Sequence, residues 1–399
     1  MLATLVRRYG DLDLAEEVTS DAIEAALAHW PVDGVPTKPG AWLLTTARRR
    51  AVDRLRRDQS YAARLAVLQV EQDRVGPSPA ADAARSDDFP DERLQLFFTC
   101  AHPALQADDR VAITLRCLAG LTTAEVGRAF MIPRSTAGQR ITRAKKKIRD
   151  ARIPFRVPGR EELPQRLPGV LQVVYSIFTE GYAASSGADL VRLDVAEEAI
   201  RLGRILRTLL PNEREASGLL ALMLLTHARH EARTHEGMIL MLEDQDRRLW
   251  NRDMIEEGCA LVVEALTGGD PGPYAVQAAI AALHDEAPTY EETDWPQIVE
   301  LFGVLARIAP SAIVSLNRAA AVAMRDGPEV GLELLESLRD DPLMQNYQPF
   351  LAARADLLYR CARFDAAAED FRRALGVAGS EPERSYLRRR LADAERSIP

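Results

Sequence analysis

The sequence predicts an all-α protein: two small helical modules joined by a flexible linker and followed by a long helical-repeat region. Apolar residues recur at helical spacing through most of the chain. Short stretches containing Pro and Gly separate these helical segments. Residues 121–149 form two short helical patterns around a tight turn, which places a helix-turn-helix in the second module. At 399 residues the chain is long enough for several domains with real cores.

The net charge is distributed unevenly along the chain. The total is -8, but residues 1–160 carry 26 Lys and Arg against 20 Asp and Glu, a net of +6, which leaves -14 for the rest. We therefore expect the first part to bind a polyanion and the second part to do something else. No apolar run reaches the length of a membrane span, no signal peptide is visible and the cysteines are scattered. These features favour a cytoplasmic protein that does not enter a membrane.

Residues 11–29 predict an amphipathic helix with one acidic face. Its apolar side is made by Leu14, Val18, Ala22, Ala25 and Ala26, and its acidic face by Glu16, Glu17 and Asp21. That face is either an ordinary solvated surface or a docking surface for a basic partner helix. Residues 31–40 contain three prolines and two glycines, and they are predicted to form a loop.

Residues 41–59 predict a strongly basic helix. Its cations are Arg48, Arg49, Arg50, Arg54, Arg56 and Arg57. Arginines with an aromatic residue near a helix start suit single-stranded DNA, because charge follows the backbone and bases stack on aromatic faces. Trp42 is the aromatic candidate, although core packing is its more ordinary role. The composition of residues 61–90 predicts a flexible acidic linker.

Helical pattern resumes at Glu92, and Asp108 and Asp109 are placed to cap a second helix of this module. The helix-turn-helix follows, with Pro133 in its turn and Ser135 or Thr136 as a cap. Ile141, Ala144 and Ile148 form a narrow apolar stripe on the second helix. The residues predicted to face DNA are Arg134, Ser135, Thr136, Gln139, Arg140, Arg143, Lys146 and Lys147. The alternative is a solvated basic helix in an ordinary bundle.

From residue 169 to the end, the pattern predicts a succession of Leu- and Ala-rich helices after a proline-rich linker at 153–168. Glu180-Gly181-Tyr182 is predicted to break the first of them, and residues 243–266 read as one helical segment. Residues 290–399 fit the tetratricopeptide (TPR) pattern, with Ala355, Ala367, Ala374, Tyr359, Phe364, Phe371 and Pro382 near the expected positions.

No metal site, cofactor or catalytic constellation is predicted. His227, His230 and His235 cluster near two glutamates, but no HExxH motif is present, and Cys100 with His102 reads as a buried thiol beside a satisfied histidine. The stretches 175–182 and 243–250 mix charged and aromatic residues between apolar helices. They indicate either a buried ion-pair network or an interdomain contact.

The order of these elements resembles bacterial sigma factors of the extracytoplasmic-function (ECF) type, within the sigma-70 class. The most specific part is the basic helix, with Trp42, Leu43, Ala47, Arg48, Arg50, Ala51, Asp53, Arg54, Leu55, Arg56 and Arg57. The resemblance covers residues 1–152, and the whole chain resembles the subgroup with a long TPR-like C-terminal extension. It implies a region-two-like domain at 1–60, clipped at its N-terminus, and a region-four-like domain at 91–152.

The resemblance also implies partners and roles. Glu16, Glu17 and Asp21 would dock on the clamp helices of the β′ subunit of core RNA polymerase. Trp42, Arg48, Arg49, Arg50, Arg54 and Arg57 would face the melted strand of the minus-ten promoter element. The helix from Ser135 would read the double-stranded minus-thirty-five element, and the C-terminal domain would contact the sigma domains or polymerase. Such a protein is not an enzyme.

A protein of another class remains as the alternative. A one-component regulator would join a helix-turn-helix to a ligand-sensing helical domain and bind DNA without polymerase. The basic helix at 48–57 favours a sigma factor, because a plain repressor does not need it.

Overall fold

The computed structural model describes residues 1–69, 92–130, 132–182, 193–235 and 238–398. The chain forms two compact units. Unit 1 contains residues 1–124 and 135–170, and unit 2 contains residues 125–134 and 171–399. The expectation of an all-α fold is confirmed: apart from one hairpin of two-residue strands, the described regular structure is helical.

In the ranges that the structure describes, seven α-helices precede residue 151. They are α1 Leu2–Tyr9, α2 Leu12–Asp33, α3 Pro39–Gln69, α4 Glu92–Cys100, α5 Ala107–Thr114, α6 Thr123–Ala129 and α7 Arg134–Asp150. Helix α1 was not predicted; it is short but buries Leu5 and Val6. A π-helical turn, Leu115–Ala119, extends α5.

Helix α2 forms for the reason that the sequence suggested. The Asp11 carboxylate caps its N-terminus by accepting a hydrogen bond from the Leu14 backbone N–H at 3.0 Å. Val18, Ala22 and Ala26 recur at helical spacing and are buried, as predicted. The helix runs further than expected, however, and includes Pro31 in its last turns.

The predicted loop at 31–40 is therefore shorter. Helix α2 ends at Asp33, and α3 begins at Pro39, so residues 34–38 alone connect them. Proline is well tolerated at the start of α3, because the first N–H groups of a helix have no intrahelical acceptor. Helix α3 also continues to Gln69, which makes the first residues of the predicted 61–90 linker helical. Residues 70–91 lie outside the described residues.

Two predicted caps are wrong. Gln106 occupies the N-cap of α5, and neither Asp108 nor Asp109 caps it, because both carboxylates bind arginines of α7. Ser135 and Thr136 lie inside the first turn of α7, which begins at Arg134, so neither can be its N-cap residue.

Residues 153–167 bury apolar side chains of their own. Ile153, Val157, Leu163 and Leu167 are each less than a tenth exposed. The Thr99 hydroxyl donates to the Pro154 carbonyl at 3.3 Å, and Arg166 Nη2 donates to the Phe98 carbonyl at 3.0 Å. The segment predicted as a linker thus packs on α4 within unit 1.

Eleven helices cover the rest of the described chain. They are α8 Leu163–Tyr182, α9 Leu193–Leu209, α10 Arg214–Ala228, α11 Arg252–Leu266, α12 Pro273–Glu286, α13 Trp295–Ile308, α14 Ala312–Asp326, α15 Pro328–Glu336, α16 Gln348–Arg360, α17 Phe364–Val377 and α18 Glu381–Arg396. The hairpin pairs β1 Thr234–His235 with β2 Met238–Ile239.

The predicted break at Glu180-Gly181-Tyr182 is wrong, since α8 continues to Tyr182. Gly181 serves close packing instead: a Cβ there would lie 2.4 Å from the Ala196 backbone nitrogen of α9. Residues 243–266 also differ from the prediction. Short 3-10 turns occupy Leu242–Asp244 and Arg247–Leu249, and α11 starts only at Arg252.

Helices α14 to α18 share one apolar core. Its buried members include Ala355, Ala367, Phe371 and Ala374, which lie near the positions that the repeat pattern expects. Pro382 lies in the first turn of α18 and is also buried. Stacked helix pairs of this kind bury a continuous core between neighbours.

Within unit 2, the half-buried Arg247 connects the mixed-charge stretch at 243–250 to the end of α12. The Arg247 guanidinium lies 4.4 Å from the ring centroid of Trp250, and its Nη1 donates to the carbonyls of His284 at 2.8 Å and Ala287 at 2.6 Å. Arg247 thereby satisfies backbone acceptors at the end of α12. None of these contacts is an ion pair, so the buried ion-pair network and the interdomain contact both stay predictions for this stretch.

Candidate nucleic-acid interface

Helix α7 presents a broad polar face to solvent. Among the residues predicted to face DNA, six are exposed: Arg134, Ser135, Gln139, Arg143, Lys146 and Lys147. Thr136 and Arg140 are half-buried. The opposite side is apolar as expected, since Ala137, Ile141 and Ala144 are buried.

The start of α6 and the first turns of α7 approach closely at a glycine. A Cβ on Gly138 would lie 3.6 Å from the Thr123 methyl carbon, an ordinary van der Waals distance. Pro133 precedes α7 and has no N–H to place in a helical ladder, so the chain turns there. The predicted order of a helix, a turn at Pro133 and a second helix is present.

Two predicted DNA-facing arginines are tied to the first turn of α5. Arg140 Nη2 lies 2.8 Å from Asp108 Oδ2, and its side chain is 24% exposed. Arg143 makes a two-pronged contact with the buried Asp109 carboxylate. These contacts fix both guanidinium groups at one edge of the α7 face, beside the freely exposed Gln139.

Sequence reasoning missed Thr142. It is exposed, and with Ser135, Gln139 and Lys146 it follows helical i, i+3 and i+4 spacing along one stripe. The signal was available in that spacing, but Thr142 was not included among the residues predicted to face DNA. We call Ser135, Gln139, Thr142 and Lys146 the recognition stripe.

Helix α3 carries a second cationic face. Arg49 and Arg56, and likewise Arg50 and Arg57, are seven residues apart and therefore share a side of the helix. All four are exposed, and we call them the α3 basic face. Arg56 was not among the residues predicted to face the melted strand. Arg48 and Arg54 are half-buried and contribute less charge to solvent.

Trp42 is neither fully buried nor freely exposed. Its ring meets Trp30 edge-on with centroids 5.5 Å apart, and the His29 ring lies 6.5 Å away. Aromatic contacts of this geometry hold the indole in place while leaving part of it at the surface. The structure thus retains both roles that the sequence allowed.

The acidic face of α2 is covered by cations of unit 1. Glu17 is paired with Arg54 of α3, and Glu16 is bonded to Arg116 of the π-helical turn. Lys145 of α7 reaches Glu16 as well, with Nζ 2.5 Å from Oε2. Asp21 is half-buried on the same helix. Residues predicted for docking and for DNA melting therefore contact one another.

The cysteine and histidine candidates have protein partners. Burial and a hydrogen bond to Cys117 raise the pKa of the Cys100 thiol, and the Ala104 N–H donates to His102 Nδ1 at 3.1 Å. The His227 and His230 rings stack with centroids 4.6 Å apart. Within the described ranges, no group of three or more His, Cys, Asp or Glu could hold a metal ion.

None of the helices in the described part of the chain is both long and apolar enough to cross a bilayer.

Comparison with known families agrees with these two helical modules. Residues 1–61 match the sigma-70 region 2 family. The matched residues include α2 and the α3 basic face. Residues 98–148 match the sigma-70 region 4 family. The matched residues include α6 and most of α7. Residues 166–266 match a family of unknown function, DUF6596.

A full-length relative is also known. An uncharacterised protein of Rhizobium meliloti (strain 1021) is 41% identical over 392 residues, which covers 98% of this chain and 92% of the relative. No solved structure matches the chain significantly. Regions 2 and 4 of the sigma-70 type stand in the expected order, so the chain belongs to the sigma-70 family of RNA polymerase sigma factors.

Proposed function

We propose that this protein is an ECF-type sigma factor that brings core RNA polymerase to particular promoters and helps to open them. The observation that carries the proposal is the pair of exposed polar faces, one in each sigma-type module: the α3 basic face and the recognition stripe of α7. Two separate nucleic-acid surfaces in one chain suit a protein that contacts a promoter at two places.

Helix α7 would read the minus-thirty-five element in the major groove. Gln139 has the amide geometry for a bidentate contact with adenine, and Arg143 for one with guanine. Ser135 and Thr142 are short and exposed, so they allow the helix to approach the base edges. Lys146 and Lys147, further along the helix, would contact phosphates.

Helix α3 would meet the minus-ten element while its strands separate. Arg49, Arg50, Arg56 and Arg57 offer a row of charges to a single-stranded backbone. Trp42 lies near the start of the same helix and is partly exposed, so a flipped base could stack against it. Arg48 and Arg54 would support this face from its edge.

Docking on polymerase would use the acidic face of α2. Glu16, Glu17 and Asp21 present carboxylates that complement a basic helical surface, which we assign to the clamp helices of the β′ subunit. Such pairing between charged faces sets the orientation of binding and its rate more than its strength.

The C-terminal region would regulate the factor as a TPR-like array. Its net charge of -14 contrasts with +6 for residues 1–160, so it could compete with DNA for the cationic faces. A chain ending after Tyr182 keeps α8 whole and tests this role. Promoter-dependent transcription should rise or disappear in the shortened chain, whereas an unchanged yield would count against regulation.

A footprinting experiment separates a sigma factor from a one-component regulator. The protein is mixed with the DNA upstream of its own gene, with and without core polymerase. We expect protection and strand opening only when core polymerase is present. Specific protection by the protein alone, unaffected by polymerase, would favour the one-component regulator instead.

A further inference from the structure

Two helices of unit 1 meet through a matched set of charges. Lys145 Nζ on α7 lies 3.0 Å from Asp13 Oδ1 and 2.5 Å from Glu16 Oε2 on α2. One turn further along α7, Arg149 Nη1 donates to Asp13 Oδ2 at 3.2 Å. The cations are spaced i, i+4 and the carboxylates i, i+3, so each pair lines one side of its helix.

The centre of this contact is partly withdrawn from water. The side chains of Lys145 and Glu16 are each 16% exposed, whereas those of Arg149 and Asp13 are about half exposed. Burial alone would lower the pKa of Lys145, but hydrogen bonds and charge from Glu16 and Asp13 outweigh it and raise that pKa. Removing one partner of a half-buried ion pair therefore costs more stability than removing one partner of a solvated pair.

The contact uses the flank of α7 and leaves the recognition stripe open. Gln139, Thr142 and Lys146 remain exposed, while Lys145 and Arg149 point to α2. The surface that is covered is therefore the acidic face of α2, including Glu16. DNA reading by α7 is not blocked directly.

This arrangement cannot engage both promoter elements. Helix α3 is bound to α2 through Arg54 and Glu17, and α7 is bound to α2 through Lys145 and Glu16. Helices α2 and α3 pack side by side at about 8–10 Å, and side chains of α7 reach α2 directly. Helices α3 and α7 therefore lie far closer together than the two promoter elements. The minus-ten and minus-thirty-five elements are about 25 base pairs apart, or roughly 85 Å at 3.4 Å per base pair.

We propose that the acidic face of α2 has two alternative occupants that compete for it. In the free protein, the acidic face of α2 binds the side of α7 that carries Lys145 and Arg149. In the holoenzyme it holds a basic helical surface of polymerase, and release of α7 frees the second module to reach the distant element. This inference rests on the docking role proposed above.

Zero-length cross-linking tests the contact in the unmodified full chain. A carbodiimide joins an amine to a carboxylate only when the two touch, so Lys145 should form an amide with Glu16 or Asp13 that mass spectrometry can locate. Saturating core polymerase should abolish this cross-link. The competition is refuted if the free chain gives no such cross-link, or if polymerase leaves its yield unchanged.

Charge reversal tests the same point through affinity. In Lys145→Glu with Arg149→Glu the flank is repelled from α2, so core polymerase should bind more tightly. If about nine molecules in ten are closed, the apparent Kd should fall ~10-fold. The matched control, Arg318→Glu with Arg363→Glu, makes the same charge change at exposed positions of unit 2 and should leave the Kd unaltered.

The outcomes separate this inference from the proposed function. A chain that supports transcription but shows no Lys145 cross-link and no gain in the charge-reversed variant would be a sigma factor without the competing contact. A cross-link that persists in a chain ignored by polymerase would contradict the docking role, and with it the competition.

Discussion

Arg143 on α7 donates two hydrogen bonds to Asp109 on α5, from Nε to Oδ2 at 2.7 Å and from Nη2 to Oδ1 at 2.5 Å. The Asp109 side chain is 3% exposed, whereas that of Arg143 is 59% exposed. The hydrogen bonds and charge of Asp109 raise the pKa of Arg143. A buried carboxylate thus orients an exposed guanidinium at the edge of the recognition stripe.

This asymmetry predicts unequal costs for the two partners. Arg143→Ala leaves a buried carboxylate without its partner and should lower the free energy of unfolding more than Asp109→Asn does. Asp109→Asn leaves a guanidinium that water can reach and should cost about 1–3 kcal/mol. Urea denaturation of the full-length variants checks the order. A larger loss for Asp109→Asn would mean that Asp109 is not buried against Arg143.

The recognition stripe predicts two kinds of DNA defect. Gln139→Ala should cost about 1–3 kcal/mol on the cognate sequence and relax the preference at one or two base pairs. Lys146→Ala should weaken binding to all sequences and reduce the slope of log K against log salt by about 1. Holoenzyme titrations on cognate and scrambled DNA at several salt concentrations distinguish them. Equal losses on both DNAs for both variants would show that α7 does not read bases.

Two glycines predict opposite effects of the same substitution. Gly181→Ala would put a methyl group 2.4 Å from the Ala196 backbone nitrogen, which cannot move as a side chain can, so it should destabilise unit 2 by about 3 kcal/mol or more. Gly376 lies in α17 with open space around it, and Gly376→Ala should stabilise by up to about 1 kcal/mol. Thermal unfolding measures both. A harmless Gly181→Ala would contradict the close approach of α8 and α9.

The buried histidine of α10 predicts acid sensitivity. Burial, with a smaller effect of His230, lowers the pKa of His227 to about 4. Between about pH 6.5 and 4, His227 is protonated in the unfolded chain but not in the folded chain. Stability therefore falls as pH decreases, by at most about 1.4 kcal/mol per pH unit for this group. His227→Gln should show a shallower loss in denaturation from pH 7 to 4. Identical pH dependence in both proteins would mean that His227 titrates normally.

Local patterns were enough to predict much of the fold. Val18, Ala22 and Ile141 recur at helical spacing and are buried, and Pro133 separates the two helices of the helix-turn-helix. These features depend on residues that are close together along the chain, so the sequence alone reveals them. The two sigma-type regions were predicted from a family resemblance and from the order of their motifs, and family models match both regions.

Contacts between distant residues could not be predicted in the same way. Asp109 resembled a helix cap because local sequence shows only nearby N–H groups, yet Arg143 lies 34 residues away. Gly181 resembled a helix breaker because its neighbour Ala196 becomes visible only when α9 packs. Glu16 was predicted to lie on a solvated or docking face and Lys145 was given no role. Nothing in either helix pattern identifies the other residue as its partner.

Run-off transcription tests the central claim most directly. Purified core RNA polymerase is mixed with the full-length chain and a template carrying the DNA upstream of its own gene, with Arg49→Glu and Arg56→Glu together as the comparison variant. We predict a discrete transcript that requires the chain and that the variant, which reverses charge on the α3 basic face, fails to produce. Transcript yield equal to that of core polymerase alone, over all chain concentrations, would contradict the assignment as a sigma factor.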